Sequence, residues 1–202
     1  MNGKPLPPNH GFPARIITPG IAGARSVKWL DRITVQACES PNFYQQHDYK
    51  VFPPEATDAE AAKQYWHQVP AIQDMPVNSV VGVPTTGDTV ELDAEGTVEV
   101  RGYALPSGED GPVVRVEVSA DEGRSWVDAE LLGSGETDGE GVSLKWAWCL
   151  WRARVRVERG RERRILSRAT DKGGNGQVEM PRWNLRGVAY NGYGEARELT
   201  VV

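Results

Sequence analysis

The chain has little cysteine, little histidine and no long apolar run, and each shortage removes a class of protein. Its two cysteines, Cys38 and Cys149, are far apart and sit in nothing like CxxC, which excludes a disulfide framework and points to a reduced, intracellular protein. The three histidines, His10, His47 and His67, show no metal-ligand spacing with one another or with the cysteines, so a zinc site is not expected. No stretch approaches the roughly 20 apolar residues of a membrane span. Met1 is followed by NGKPLPPNHG rather than by an apolar run, so no secretory signal is expected. Basic residues are also in deficit: 23 Lys+Arg stand against 28 Asp+Glu, a net charge of -5. General affinity for nucleic acid or an anionic membrane is thereby excluded, and any anion site must be a local basic pocket in an acidic envelope.

What is present falls into two textures. With 202 residues the chain can form one large or two small domains with a real core. The first texture centres on His10 to Leu30, HGFPARIITPGIAGARSVKWL. Ile16 and Ile17, bounded by Ala14 and Pro19-Gly20, predict a short apolar strand. Gly20, Ala22, Gly23 and Ala24 predict a loop of small side chains whose backbone N–H groups can approach a phosphate. Arg15, Arg25 and Lys28 surround it with fixed positive charge. An ordinary turn with a solvated basic face explains the same residues, because a lone glycine-rich loop is weak evidence. Val27 to Ala37 alternates at Ile33, Val35 and Ala37, which predicts a strand with one buried face. ESPNFYQQHDYKVFPP then reads as an ordered polar and aromatic loop. Asp58 to Trp66 predicts a short helix with Asp58 at its start near Thr57 as cap, and linker character continues to about Pro76.

From Val77 the pattern becomes apolar alternation broken at regular intervals by Gly, Pro, Asp or Ser. That predicts an antiparallel β-sandwich of immunoglobulin type, with about seven strands in about 100 to 130 residues. Trp126, Trp146, Trp148 and Trp151 are expected mainly to pack in the core or at interfaces. The acidic loop from Gly133 to Gly141 is expected to be a hairpin tip, mobile rather than metal-binding. One segment breaks the sandwich pattern: PRWNLRGVAYNGYG, Pro181 to Gly194. In it Arg186, beside Gly187, can extend toward a tetrahedral oxyanion with a charge it cannot lose. Equally, it can be a structural arginine paired with a carboxylate on the sandwich surface.

Several blocks together resemble a known family. NGKPLPPNHGFPARIITPGIAGARSVKWLDRI, FYQQHDYKVFPP, KWAWCLW and WNLRGV, in this order and spacing, look like the C-terminal half of the eukaryotic sulfite oxidase family, molybdopterin oxidoreductases that include the assimilatory nitrate reductases. The resemblance implies a mainly β chain: residues 1–51 as the C-terminal part of an α+β molybdopterin-binding domain, residues 52–75 as a linker with a short helix, and residues 76–202 as an immunoglobulin-like dimerisation domain. It implies a molybdenum cofactor bound through molybdopterin, a sulfite-like oxyanion as substrate, oxidation of sulfite to sulfate, and a homodimer formed through the sandwich.

Position by position, the resemblance implies that His10 and Arg15 bind the molybdopterin and that Ser26, Val27 and Lys28 hold its phosphate end. Tyr49, in DYK, corresponds to an active-site tyrosine near the metal-bound oxygen, and Arg186, in WNLRG, to a substrate-pocket arginine. Nitrate reductases resemble this pattern with a methionine after WN-x, so the arginine favours sulfite over nitrate. The family's cysteine ligand to molybdenum lies in a half without a counterpart here, and neither Cys38 nor Cys149 matches it. NGYGEARELTVV replaces the family's Trp-His-containing ending. Two readings of different class follow: a C-terminal portion of a sulfite-oxidising enzyme, or a non-catalytic dimerising β-sandwich with a vestigial anion site. The electron acceptor and the compartment, mitochondrial or cytoplasmic, are not written in these residues. Residues 1 to 51 are expected to be the least stable, because half a core leaves strand faces and backbone groups unpaired.

Overall fold

A computed structural model describes residues 3–133 and 135–202; Ser134, within the acidic loop, lies outside the described residues. The chain forms two compact units, one of residues up to Met75 together with Arg182–Ala189, the other of Pro76–Pro181 and Tyr190–Val202.

The second unit is a β-sandwich, as the alternation of its sequence predicts. Its strands are β1 (Asn78–Val83), β2 (Thr89–Val90), β3 (Thr97–Leu105), β4 (Val113–Ser119), β5 (Val127–Asp128), β6 (Glu130–Leu132), β7 (Cys149–Arg156), β8 (Gly160–Asp171) and β9 (Gly194–Val201). One sheet has the order β1-β3-β7-β6 and the other β2-β9-β8-β4-β5. All pairings are antiparallel except β2 with β9. The period of two explains the layering. Along β7 the side chains of Cys149, Trp151, Ala153 and Val155 are buried while Leu150, Arg152, Arg154 and Arg156 face out. The inward set meets Val98, Val100 and Ala104 of β3 and Val116, Val118, Ile165 and Leu199 of the facing sheet in one core. Gly102 is required there, because a Cβ at that position would strike the Trp151 ring and the Val80 carbonyl.

Only Trp151 fulfils the core expectation for the tryptophans, at 1% exposure. Trp148 is 64% exposed and Trp146 37%; they lie in the segment entering β7 and are not enclosed between the sheets. Trp126 lies beneath the Arg168 guanidinium, which is 4.1 Å from its ring centre. The acidic loop is held as a hairpin tip between β6 and β7, with Thr137 bridged to Ser143. Among the described residues no cluster of histidine, cysteine or carboxylates could hold a metal ion.

A buried polar group fixes both ends of the long β8–β9 connection. Gln177 Oε1 accepts from the Ala169 N–H at 2.9 Å and from Ser79 Oγ at 2.6 Å, while its Nε2 donates to the Gly192 carbonyl at 2.5 Å. The middle of that connection, Arg182–Ala189, belongs to the other unit.

The first unit is mostly irregular. It contains 3-10 turns at Pro8–His10, Gly23–Arg25 and Lys63–Tyr65, a π-turn at Tyr44–Asp48, the helix α1 (Ala59–Ala62) and a further 3-10 turn at Leu185–Gly187. The helix is where the sequence predicts one, shorter and continued by the 3-10 turn. Asp58 itself is the cap, accepting from the N–H groups of Glu60 and Ala61 at 2.9 Å each. A small core of Phe52, Ala56 and Ala62 is flanked by Tyr65, Trp66, Val69 and Leu185.

Two expected strands are absent. Ile16-Ile17 contributes only to an isolated bridge region in which Arg15 pairs with Lys28, and Ile17 is 67% exposed. From Asp31 to Gln36 the chain has no regular structure, with Val35 95% exposed. Alternation makes a strand only where a neighbouring strand completes its hydrogen bonds and covers one face. No such neighbour exists for this stretch among the described residues.

Candidate functional site

The stretch from His10 to Leu30 folds back on itself. The Ile16 N–H donates to Val27 at 3.0 Å and the Leu30 N–H to Ala14 at 2.9 Å, which places Arg15 opposite Lys28. Gly11 makes the close approach possible. It has φ of 115°, and a Cβ there would lie 2.9 Å from Lys28 Cβ, so the position favours glycine on both grounds. The consequence is a cluster: Arg15 Nη1 donates to the His10 carbonyl at 3.3 Å and Lys28 Nζ to the Asn9 carbonyl at 3.1 Å. Lys28 also lies 4.6 Å from the Trp29 ring centre, and Trp29 is pinned by its Nε1 donating to Pro8 at 2.9 Å. Among the described residues neither Arg15 nor Lys28 has a carboxylate partner. Arg15 is exposed and Lys28 partly exposed, and their unneutralised charge is available to an anion.

The glycine-rich loop itself is more closed than its composition implies. The N–H groups of Ile21, Ala22, Arg25, Ser26 and Val27 are already bonded to Thr18, Gln73, Ala22, Gly23 and Arg25. Ser26 Oγ lies 3.2 Å from Thr18 Oγ1 and accepts from the Thr18 N–H at 3.3 Å. Side-chain charge, rather than a nest of free backbone donors, is what this loop offers an anion.

Beyond the loop a cleft of about 530 Å³ is lined by Ala24, Arg25, Val27, Ser40, Asn42, Tyr44, Gln45 and Tyr49. Tyr49 closes the π-turn with its N–H on the Tyr44 carbonyl at 3.0 Å, and its own carbonyl accepts from Ile72 at 2.7 Å. Arg25 ties the two walls together. It donates to Gln45 Oε1 and, at 2.9 Å, to the Ile72 carbonyl, and its guanidinium lies 6.0 Å from the Tyr49 ring centre. Gln45 in turn donates to Glu39. Hydrogen bonds from Gln45 and Gln46, helped by the charges of Lys50 and Arg25, hold the Glu39 carboxyl below its ordinary range.

Arg186 stands in the Leu185–Gly187 turn with φ of 73°, a left-handed conformation that is costly for a side-chain-bearing residue. Asn184 closes the turn from both sides, donating to the Val188 carbonyl at 3.1 Å and accepting from the Val188 N–H at 3.0 Å. The guanidinium forms an ion pair with Asp48, the residue before Tyr49. Arg186 therefore does have a carboxylate partner, but in the first unit and not on the sandwich surface. Half of its side chain stays exposed.

The structure thus groups His10, Arg15 and Lys28 on one side of the folded-back stretch, Val27 with Tyr49 around the cleft, and Arg186 with Asp48 at the end of the π-turn. Ser26 points to Thr18 instead. Asp48 escapes the reading of the sequence, and Asn184 and Arg25 enter it without the contacts they make. The first two lie inside the motifs DYK and WNLRG, and adjacency to Tyr49 and Arg186 was their only signal. Arg25 was seen as charge around a loop; its role as a tie to Gln45 and Ile72 depends on contacts distant in sequence.

A family model described as "Oxidoreductase molybdopterin binding domain" matches residues 1–44. The chain is 45% identical to the sulfite oxidase of Gallus gallus over 93% of its own length and 39% of that protein. It is 43% identical to the mitochondrial sulfite oxidase of Homo sapiens over 96% of its length and 34% of that protein. With the NADH nitrate reductase of Volvox carteri it shares 36% identity over 96% of its length and 22% of that protein. The chain therefore spans well under half the length of these relatives. In fold it matches the sulfane dehydrogenase SoxCD of Paracoccus pantotrophus, with a TM-score of 0.70 and 24% identity over 95% of this chain and 45% of that one. A second family model, described as "Mo-co oxidoreductase dimerisation domain", matches residues 69–197, more than half of the chain, and the chain belongs to that family.

Proposed function

We propose that this chain is the C-terminal portion of a molybdenum-cofactor oxidoreductase of sulfite oxidase type, which oxidises sulfite to sulfate. The observation that carries the reading is the cationic pair Arg15 and Lys28, held together by backbone pairing and free of carboxylate partners among the described residues. Such a donor set fits the phosphate end of molybdopterin, to which guanidinium and ammonium groups give charge-assisted hydrogen bonds. Arg15 and Lys28 would hold that group by their charge, with His10, Ser26 and Val27 beside them in the same folded-back stretch. When bound, the cofactor supplies oxygen-atom transfer and accepts the two electrons that sulfite gives up.

The chain's own residues bind and orient the substrate. Arg186, held by Asp48 and half-exposed, offers its remaining guanidinium donors to an oxyanion and fixes its approach. Tyr49 offers a phenolic group to a substrate or product oxygen. Sulfite is favoured over nitrate because a side chain of permanent charge occupies the WNLRG position. A homodimer through the sandwich and an intracellular setting complete the proposal. Among the described residues no helix is long and apolar enough to cross a membrane.

The test is Arg186→Met in a complete enzyme. Losing a charge-assisted hydrogen bond of about 1.5–3 kcal/mol should raise the sulfite KM by about tenfold or more. An unchanged KM would remove Arg186 from the substrate site.

A further inference from the structure

One strand of the sandwich is left open along part of its edge. β3 runs beside β7 from Cys149 to Arg156, whereas β6 runs beside it only from Leu150 to Arg152. The residues before β6 explain the difference. Val127 and Asp128 pair with Val118 and Glu117 of the facing sheet, Ala129 donates its N–H to the Val116 carbonyl at 2.8 Å, and only from Glu130 does the chain reach β7. By crossing between the sheets it vacates the place beside Ala153–Arg156. In an antiparallel ladder every second residue turns its N–H and C=O to the same side. Two of these four residues therefore present theirs to the vacated side, where no strand, turn or loop among the described residues takes them up. Two clefts of about 380 and 390 Å³ occupy that place and share Arg154 in their walls; Asp128, Glu130 and Arg152 border the first, and Val118, Ala120, Val127, Val155 and Arg156 the second.

We propose that this groove takes an extended segment of another polypeptide, one that alternates carboxylate and small apolar side chains and joins the sheet as a strand beside β7. Main-chain bonds to an open edge supply affinity, and alternate side chains select the partner. Four residues of extended chain, roughly 13 Å, match the open length. The inward side of the groove is apolar: Val118, Ala153 and Val155 are buried, and Val127 is 46% exposed. Its outward side is cationic. Arg154 is held by Asp93 at 3.5 Å, while Arg156 is exposed and has no carboxylate partner among the described residues. Opposite charges on neighbouring strands attract, so carboxylates belong at the outward positions of the incoming segment. The same arginines turn away a second copy of this edge, because pairing β7 with β7 would set guanidinium against guanidinium. Nor does the unpaired stretch Asp31–Gln36 of another copy fit, since Asp31 and Arg32 carry opposite signs.

The experiment titrates the full chain into a fluorescein-labelled peptide, GVEVEVG, and follows its anisotropy. Two further peptides serve as controls: GVKVKVG, and GVEVEVG with its backbone nitrogens methylated. The acidic peptide should bind, and neither control should. Arg156→Glu should weaken the acidic peptide by about fivefold or more and allow GVKVKVG to bind. Arg197→Glu, on β9 of the other sheet, should change nothing. Circular dichroism establishes that both variants fold, and hydrogen exchange of the parent supplies a readout that needs no variant: the acidic peptide should slow amides within Ala153–Arg156. No binding of GVEVEVG up to about 1 mM overturns the proposal. Equal binding of the methylated peptide removes strand addition, and equal binding of GVKVKVG removes the acidic partner; either result overturns it. Protection that rises on another strand instead, or an unchanged affinity in Arg156→Glu, overturns the assigned edge.

Discussion

At the scale of single residues, the Arg186–Asp48 pair determines what the candidate site can do. The arginine sits at φ of 73° and carries a partner that is only 21% exposed, so the turn and a contact distant in sequence set its position. In the proposed site Asp48 is a positioning residue, since its carboxylate is paired with the guanidinium. Asp48→Asn should therefore separate two readouts. Because Arg186 is half-exposed, the loss of stability in urea should stay below about 1 kcal/mol, while the sulfite KM of a complete enzyme should rise with kcat changing less. An unaltered KM alongside normal stability would show that Arg186 is held by the Asn184 turn alone.

At the scale of elements, the sandwich depends on a few exact fits between strands. Gly102→Ala would push a methyl into the Trp151 ring and the Val80 carbonyl, two rigid obstacles on neighbouring strands. The expected cost is about 3 kcal/mol, readable as a lowered urea midpoint; a cost under about 1 kcal/mol would mean that β1 and β7 yield more easily than their packing implies. The turn between β4 and β5 carries a pH dependence. Asp121 accepts from the hydroxyl and N–H of Ser125 and the hydroxyl of Ser119, and these bonds hold its carboxyl down to about 2, from an ordinary 3.8. A carboxyl depressed by folding stabilises the fold above its unfolded value. That contribution is lost as pH falls from near 3.8 toward 2. Asp121→Asn should flatten the melting temperature across that window relative to the parent, and an identical slope in both proteins would assign the acid sensitivity elsewhere.

At the scale of the whole chain, the two units differ in how much core they contain. The sandwich has a continuous cluster running from Val77 to Val201, whereas the first unit has Phe52, Ala56 and Ala62 and their flanking side chains. Amides from Ile16 to Val35 should exchange with solvent far faster than those of β3, β7 and β8, because local opening there uncovers little apolar surface. Equal protection by hydrogen exchange in the two regions would contradict this.

The sequence alone determined the sandwich, because a period of two interrupted by turn residues leaves few other ways to bury Val98, Val100, Trp151 and Val155. It determined the cap at the start of α1 to within one residue, and it marked Arg15, Lys28, Tyr49 and Arg186 through motifs whose resemblance to known enzymes the comparisons share. Only the tertiary structure decided that Trp148 faces out while Trp151 faces in, since two tryptophans three residues apart straddle the point where β7 begins. It alone showed that Ile33 and Val35 alternate without forming a strand, for want of a neighbour to pair with. Above all it joined Arg186 to Asp48. Residues 138 positions apart carry no local signal of each other, and their contact exists because the β8–β9 connection gives its middle residues to the other unit.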